Sequence, residues 1–231
     1  MHPFEVLDDI HEQSLLQQAT SGSHHASLQW FPPWLKPAPD SRELILSVQQ
    51  SERTETTRVY TGEPIRTQLA ARRILELETA RLLLTTRSNE PQILAWIEQT
   101  HKRSLRQCFA ATGCVIGECS LVAIAFIRYL AACPWDASGQ ILARQVQGLR
   151  HLRDGRGRWS RIPFYYTMLA LREGASICPA ARDELLYACG ACQDAGHRIR
   201  VNQPYRGRRE ALLRAVLASA SSLDAGTPPV A

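Results

Sequence analysis

Residues 117–133, GECSLVAIAFIRYLAAC, constrain this chain more than any other stretch, because they form a helix that is apolar nearly all round. A helix with no wet face has to lie at the centre of a body, with other elements packed on several sides. The apolar run 121–127 is broken by Arg128 and falls short of the about 20 residues a bilayer span needs, so the segment reads as a core helix. Arg128 must reach the surface, pair with an acid or enter a pocket. Snorkelling to the surface is the expectation, and a buried Arg128 would point to an anionic ligand.

The neighbouring sequence supplies helices to pack on that core. From Ile65, the positions Leu69, Ile74, Leu77, Leu82 and Leu84 recur at spacings of three and four for about twenty residues, with Arg and Glu between them. Asn89 is placed to cap the next helix, whose first turn takes Pro91 and which is expected to run to Ala111 before the Thr112-Gly113 break. Cys178-Pro179 opens a helix ended by Gly196, and a last helix is expected over residues 210–217. Upstream, residues 1–20 carry Phe4, Leu7, Leu15 and Leu16 on a helical stripe. An irregular arm rich in Pro and Trp (Trp30, Phe31, Trp34) follows, and ELILSVQQ and TETTRVY read as a small hairpin. The organisation expected is an N-terminal helix and arm over 1–60, a helical domain over 61–218 and a disordered tail over 219–231.

Residues 144–174 join two of these helices through an unusual corner. Val146, Leu149 and Leu152 hold helical spacing up to Arg153, then DGRGRW brings two glycines that a helix interior resists, and Pro163 presets a helix carrying Phe164, Met168 and Leu171. Trp159 and Phe164 can pack over the turn. Asp154, Gly155, Gly157 and Trp159, followed by Pro163, Phe164, Tyr165, Tyr166 and Thr167, resemble the repeat of the α/α-toroid proteins, the terpenoid cyclases and protein prenyltransferases. That resemblance implies an all-α fold of antiparallel helix pairs, toroid-like or a helical-repeat arc. At 231 residues it implies an arc of a few pairs. It also implies an isoprenoid-diphosphate ligand and, in the prenyltransferases, a zinc ion. The position of the zinc-binding His in the Tyr-rich helix is Tyr166 here, and no DxDD acid motif is present.

Charge is unevenly distributed. Arg outnumbers Lys 25 to 2, residues 144–214 hold 14 Arg against 6 acids (+8), and residues 1–60 carry −4. The asymmetry can draw the two ends together or leave a basic face for an anionic ligand or nucleic acid. Arg156, Arg158 and Arg161, interleaved with Trp159, Tyr165 and Tyr166, are the candidates for such a face, and Arg198, Arg200, Arg206, Arg208 and Arg209 could extend it. Seven cysteines, an odd number, argue for a reducing, cytoplasmic setting.

Three chemistries compete. The leading reading is a non-catalytic helical scaffold or binding protein with a protein partner or a second copy of itself, without a cofactor. The second is a prenyltransferase-like or cyclase-like enzyme using Asp8, Asp9 or Glu118; Asp8, Asp9 and Glu12 form a DDxxE string that could share a divalent ion. The third is a zinc module at Cys178, Cys189, Cys192 and His197, set against a bland reading as buried small cysteines. Cys108, Cys114 and Cys119 straddle the Thr112-Gly113 break without a ferredoxin-type spacing and are read as core cysteines. His24 and His25 are adjacent and point apart, which suits a loop. Phosphate-cradling glycine loops, GxSxG and HExxH are all absent from the sequence.

Overall fold

The computed structural model describes residues 2–20, 32–37, 44–46, 57–86, 90–196 and 199–224. Among them the fold is all-α, apart from one short two-stranded ribbon. The helices are α1 (Pro3–Thr20), α2 (Gln68–Thr85), α3 (Pro91–Leu105), α4 (Cys108–Ala111), α5 (Cys119–Ala132), α6 (Asp136–Arg150), α7 (Phe164–Gly174), α8 (Pro179–Gly196) and α9 (Tyr205–Asp224). No helix among the described residues is long and apolar enough to cross a membrane.

As its composition demands, α5 is central: every residue from Ser120 to Leu130 is buried. It lies between α2 and α7, while α6 packs behind it and against α8. Short connections bring α3 against α2, α6 against α5 and α8 against α7. The outer helices α9 and α1 pack on α7 and α8, and on α2, respectively. Phe4, Leu7, Ile10 and Trp34 belong to the same core as the helical body, so the N-terminal segment shares the interior of residues 61–218.

Several boundaries depart from the sequence reading. The helix expected to reach Ala111 breaks at Arg106 and Gln107, where the amides of both turn back to Arg103 and Ser104 carbonyls, and restarts as α4. Asn89 lies outside the described residues, and Glu90 holds the cap position of α3 with Pro91 following. The cap of α2 is Thr67, whose hydroxyl accepts from the Ala70 amide at 3.2 Å. Most of the expected hairpin, residues 47–56, lies outside the described residues. Among the described residues Leu44–Leu46 runs antiparallel to Leu35–Pro37 in the arm, and Arg58 bridges Pro64; the first pairing buries Leu35 and Leu44 near Trp34, whose indole N–H bonds Thr79 at 3.0 Å. The last helix begins five residues before the expected Glu210 and runs to Asp224, so the segment after 218 is not all tail. Its early start is hidden in the sequence by charge: Arg208 and Arg209 stack on Tyr60 and Tyr165 instead of facing water. Trp30, Phe31, His24 and His25 lie outside the described residues.

Candidate functional site

Arg128 does not snorkel. It is 1% exposed and donates to Glu173 of α7 through Nε (2.8 Å) and Nη2 (2.7 Å), and to Glu78 of α2 through Nη1 (2.6 Å). One guanidinium therefore ties the three helices of the central row together. Arg81, one turn after Glu78, donates to it at 2.8 Å and approaches Glu173 at 3.7 Å. The Tyr166 hydroxyl donates to Glu78 at 2.5 Å, with its ring face 5.4 Å from the Arg128 guanidinium. Burial would raise both Glu78 and Glu173, but Arg128 and Arg81 outweigh it and hold both carboxylates below their usual range. Two carboxylates and two guanidiniums neutralise one another here, so the buried Arg128 is saturated from within and does not mark an anion site.

Helix α1 closes over this cluster. His11 is buried, and its Nδ1 stands 3.5 Å from Arg81 Nη2, which fixes Nδ1 as the acceptor and leaves the proton on Nε2. That Nε2 has no hydrogen-bond partner among the described residues and stands 4.0 Å from Glu173. Burial, reinforced by Arg81 and Arg128, keeps His11 well below its usual pKa and therefore neutral. A cavity of about 20 Å³, lined by Leu7, Asp8, His11, Tyr60, Arg81, Arg128 and Tyr166, has room for one water molecule.

The DDxxE string does not gather at a metal position. Asp8 and Glu12 both bind Arg208 of α9, at 2.5 and 2.7 Å, so a guanidinium occupies the place a divalent ion would take, while Asp9 is exposed. Burial pushes Asp8 up to about 6 against the pull of Arg208. Glu118, the third acid of that reading, instead accepts from the Arg66 amide at 2.9 Å. The charge asymmetry is resolved here: the acidic first helix is held by the basic last one.

The corner after α6 is as well fixed as the interior. Asp154 Oδ1 accepts from the Arg156 and Arg158 amides and from the Tyr187 hydroxyl, and the Ser160 amide donates to the Leu152 carbonyl at 2.7 Å. Trp159 is buried, lies tilted against Phe164 with ring centres 6.4 Å apart and donates its indole N–H to Glu184 at 2.9 Å; Arg153 donates twice to the same carboxylate. Gly157, at φ +75°, presses so closely on α8 that an added Cβ would meet the Ala191 Cβ at 2.8 Å. Of the proposed binding residues, Arg128, Trp159 and Tyr166 thus belong to the core. Tyr165 is half-buried under Arg209, and Arg156, Arg158 and Arg161 are exposed. Arg161 adopts φ +66°, a left-handed backbone that a bulky residue rarely takes. Arg206 pairs with Glu210, and Arg208 and Arg209 turn inward, so the expected extension of the patch is largely spent within the chain. Arg198 lies outside the described residues.

The zinc set Cys178, Cys189, Cys192 and His197 is not assembled. Cys178 precedes α8 and Cys189 lies eleven residues on, about 16 Å along a helix, beyond the reach of one ion. Cys178 and Cys192 are buried, as the bland reading has it, and burial next to Cys189 pushes the Cys192 thiol up to about 12. His197 lies outside the described residues. The cysteines read as core residues, Cys108, Cys114 and Cys119, instead converge at the surface, their sulfurs all within 4.8 Å of one another. Spacings of six and five residues match no familiar ligand pattern, and only the break of α3 and the turn back into α5 bring them together.

No protein-family model matches the chain, and no curated protein or solved structure does.

Proposed function

We propose that this protein is a non-catalytic helical binding scaffold, an arc of antiparallel helix pairs, that holds an acidic segment of a partner protein against the basic corner at residues 154–161. The observation that carries the reading is the contrast at that corner between a fixed backbone and exposed cations that no acid neutralises, Arg158 lying over the Phe164 ring at 4.5 Å. Arg156, Arg158 and Arg161 are exposed and have no carboxylate partner among the described residues, whereas Arg81, Arg128, Arg153 and Arg208 are each turned onto carboxylates. A positive φ at Arg161 is costly for a side chain of that size, and strain of this kind concentrates where a side chain must be presented. The corner therefore offers three cations with little backbone entropy left to lose on binding.

An acidic protein segment suits the corner better than single-stranded nucleic acid. The rings that would stack on bases, Trp159 and Tyr166, are enclosed, and Tyr165 is covered by the Arg209 guanidinium. The isoprenoid-diphosphate reading has less support, since Asp8 and Glu12 are committed to Arg208.

The test is fluorescence anisotropy of a labelled poly-glutamate peptide and a labelled single-stranded oligonucleotide of equal charge. The scaffold reading expects peptide binding that falls with added salt and weakens at least about tenfold in R156E/R158E/R161E. Unchanged peptide binding by that variant, or tighter binding of the oligonucleotide, would overturn it.

A further inference from the structure

We infer that Cys108, Cys114 and Cys119 form a binding site for a thiophilic divalent cation, zinc first among them, with three protein sulfurs and one position left to exchangeable solvent. Two of the sulfurs are already placed. Cys108 Sγ and Cys119 Sγ are 3.7 Å apart. Zinc–sulfur bonds of about 2.3 Å at tetrahedral angles require a sulfur–sulfur edge of about 3.8 Å. The edge is held by packed elements. Next to Cys108, Phe109 is buried edge-on against Phe126 of α5 at 5.5 Å, and the Ala110 carbonyl accepts from Gln145 of α6 at 2.7 Å. Cys119 is the first residue of α5, and its amide donates to the Ile116 carbonyl at 3.2 Å, which fixes the place of its sulfur at the helix start.

The third sulfur sits on the segment that can adjust. Cys114 lies on the connection between α4 and α5, flanked by Gly113 and Gly117, both at positive φ with open space around them. Closing its contacts from at most 4.8 Å to about 3.8 Å asks for about 1 Å of movement from this connection. Cys108 is exposed and Ile116 is 72% exposed, so an ion has a path in. Binding would release to solvent the protons carried by the three thiols and leave a complex of charge −1. The ion would clamp the end of α4 to the start of α5.

The site is independent of the basic corner and is tested separately. Reduced, metal-free full-length protein is titrated with Co(II), then with Zn(II) in the presence of a chromophoric chelator. The expected result is one ion per chain, with sulfur-to-cobalt charge-transfer absorption of three-thiolate intensity that Zn(II) abolishes. C114S, on an exposed connection, should keep the circular dichroism of the parent and lose more than about 100-fold in zinc affinity, beyond the loss typical of an outer-shell change. C178S/C189S/C192S should bind as the parent does. The site is refuted if the parent gives no charge-transfer band, if the band survives in C108S/C114S/C119S, or if thiol counting with zinc present finds a Cys108–Cys119 disulfide.

Discussion

The interior cluster around Arg128 and the corner at residues 154–161 use the same side chain for opposite ends. In the interior, two guanidiniums meet two carboxylates from three helices, and a neutral histidine and a tyrosine complete the shell. At the corner, carboxylates hold the backbone and the indole in place, and three exposed guanidiniums have no carboxylate partner among the described residues, Arg158 lying over the Phe164 ring. An arginine count alone does not separate the two. What separates them is whether an acid is delivered to the same place by another element, which makes interior charges a device for fixing helix neighbours and corner charges a device for meeting something else.

That contrast breaks most readily at Arg128. R128A leaves Glu78 and Glu173 enclosed without their main cation and should lower stability by about 3–5 kcal/mol in urea unfolding, while R128M/E173Q, which keeps Glu78 for Arg81, should recover most of the loss. A loss under 1 kcal/mol in R128A would mean that the cluster is open to water.

Asp8 gives the next effect, with a definite sign. Its folded pKa of about 6 lies above the ordinary carboxylate value, so between roughly pH 4 and 6 the native state holds the extra proton and stability falls as pH rises. The D8N chain lacks this slope. Relative to the parent, it should gain with pH across that window by at most about 3 kcal/mol, read from melting curves at half-unit steps. A parallel pair of curves would remove Asp8 as the cause. Glu78 and Glu173 act in the opposite sense, since their depressed values supply stability above the usual Glu range that is lost on acidification below it.

G157A should cost about 1–3 kcal/mol through its clash with Ala191 and its positive φ, and should loosen the corner enough to weaken peptide binding as well. The smallest effect is the most discriminating. R161G relieves a left-handed arginine and should raise stability by about 0.5–1 kcal/mol while reducing poly-glutamate affinity. A variant that is more stable and binds equally well would separate the strain from the binding role.

Much of the scaffold was legible in the chain. The period and composition of residues 119–132 announced the central helix, and DGRGRW before Pro163 announced a corner closed by Trp159 on Phe164. What stayed hidden depended on distant partners. Glu78 and Glu173 lie 50 and 45 residues from Arg128, and no local pattern distinguishes them from solvent-facing acids. The strand partner of Leu44–Leu46 is chosen by burial beside Trp34 and not by its own alternation. The three cysteines come together only because α3 stops at Leu105, a break that runs against the helical periodicity continuing past it. Arg208 reads as surface charge until α1 supplies Asp8 and Glu12.

The Arg128 cluster also sets an order for synthesis. A growing chain makes Glu78 with Arg81 beside it but fifty residues before Arg128, and Glu173 a further forty-five after that, so α2 emerges from the ribosome with a charge pair that nothing yet encloses. Until α5 and α7 are out, water must stay in contact with that pair, and early collapse around α2 is discouraged by the groups that later lock it.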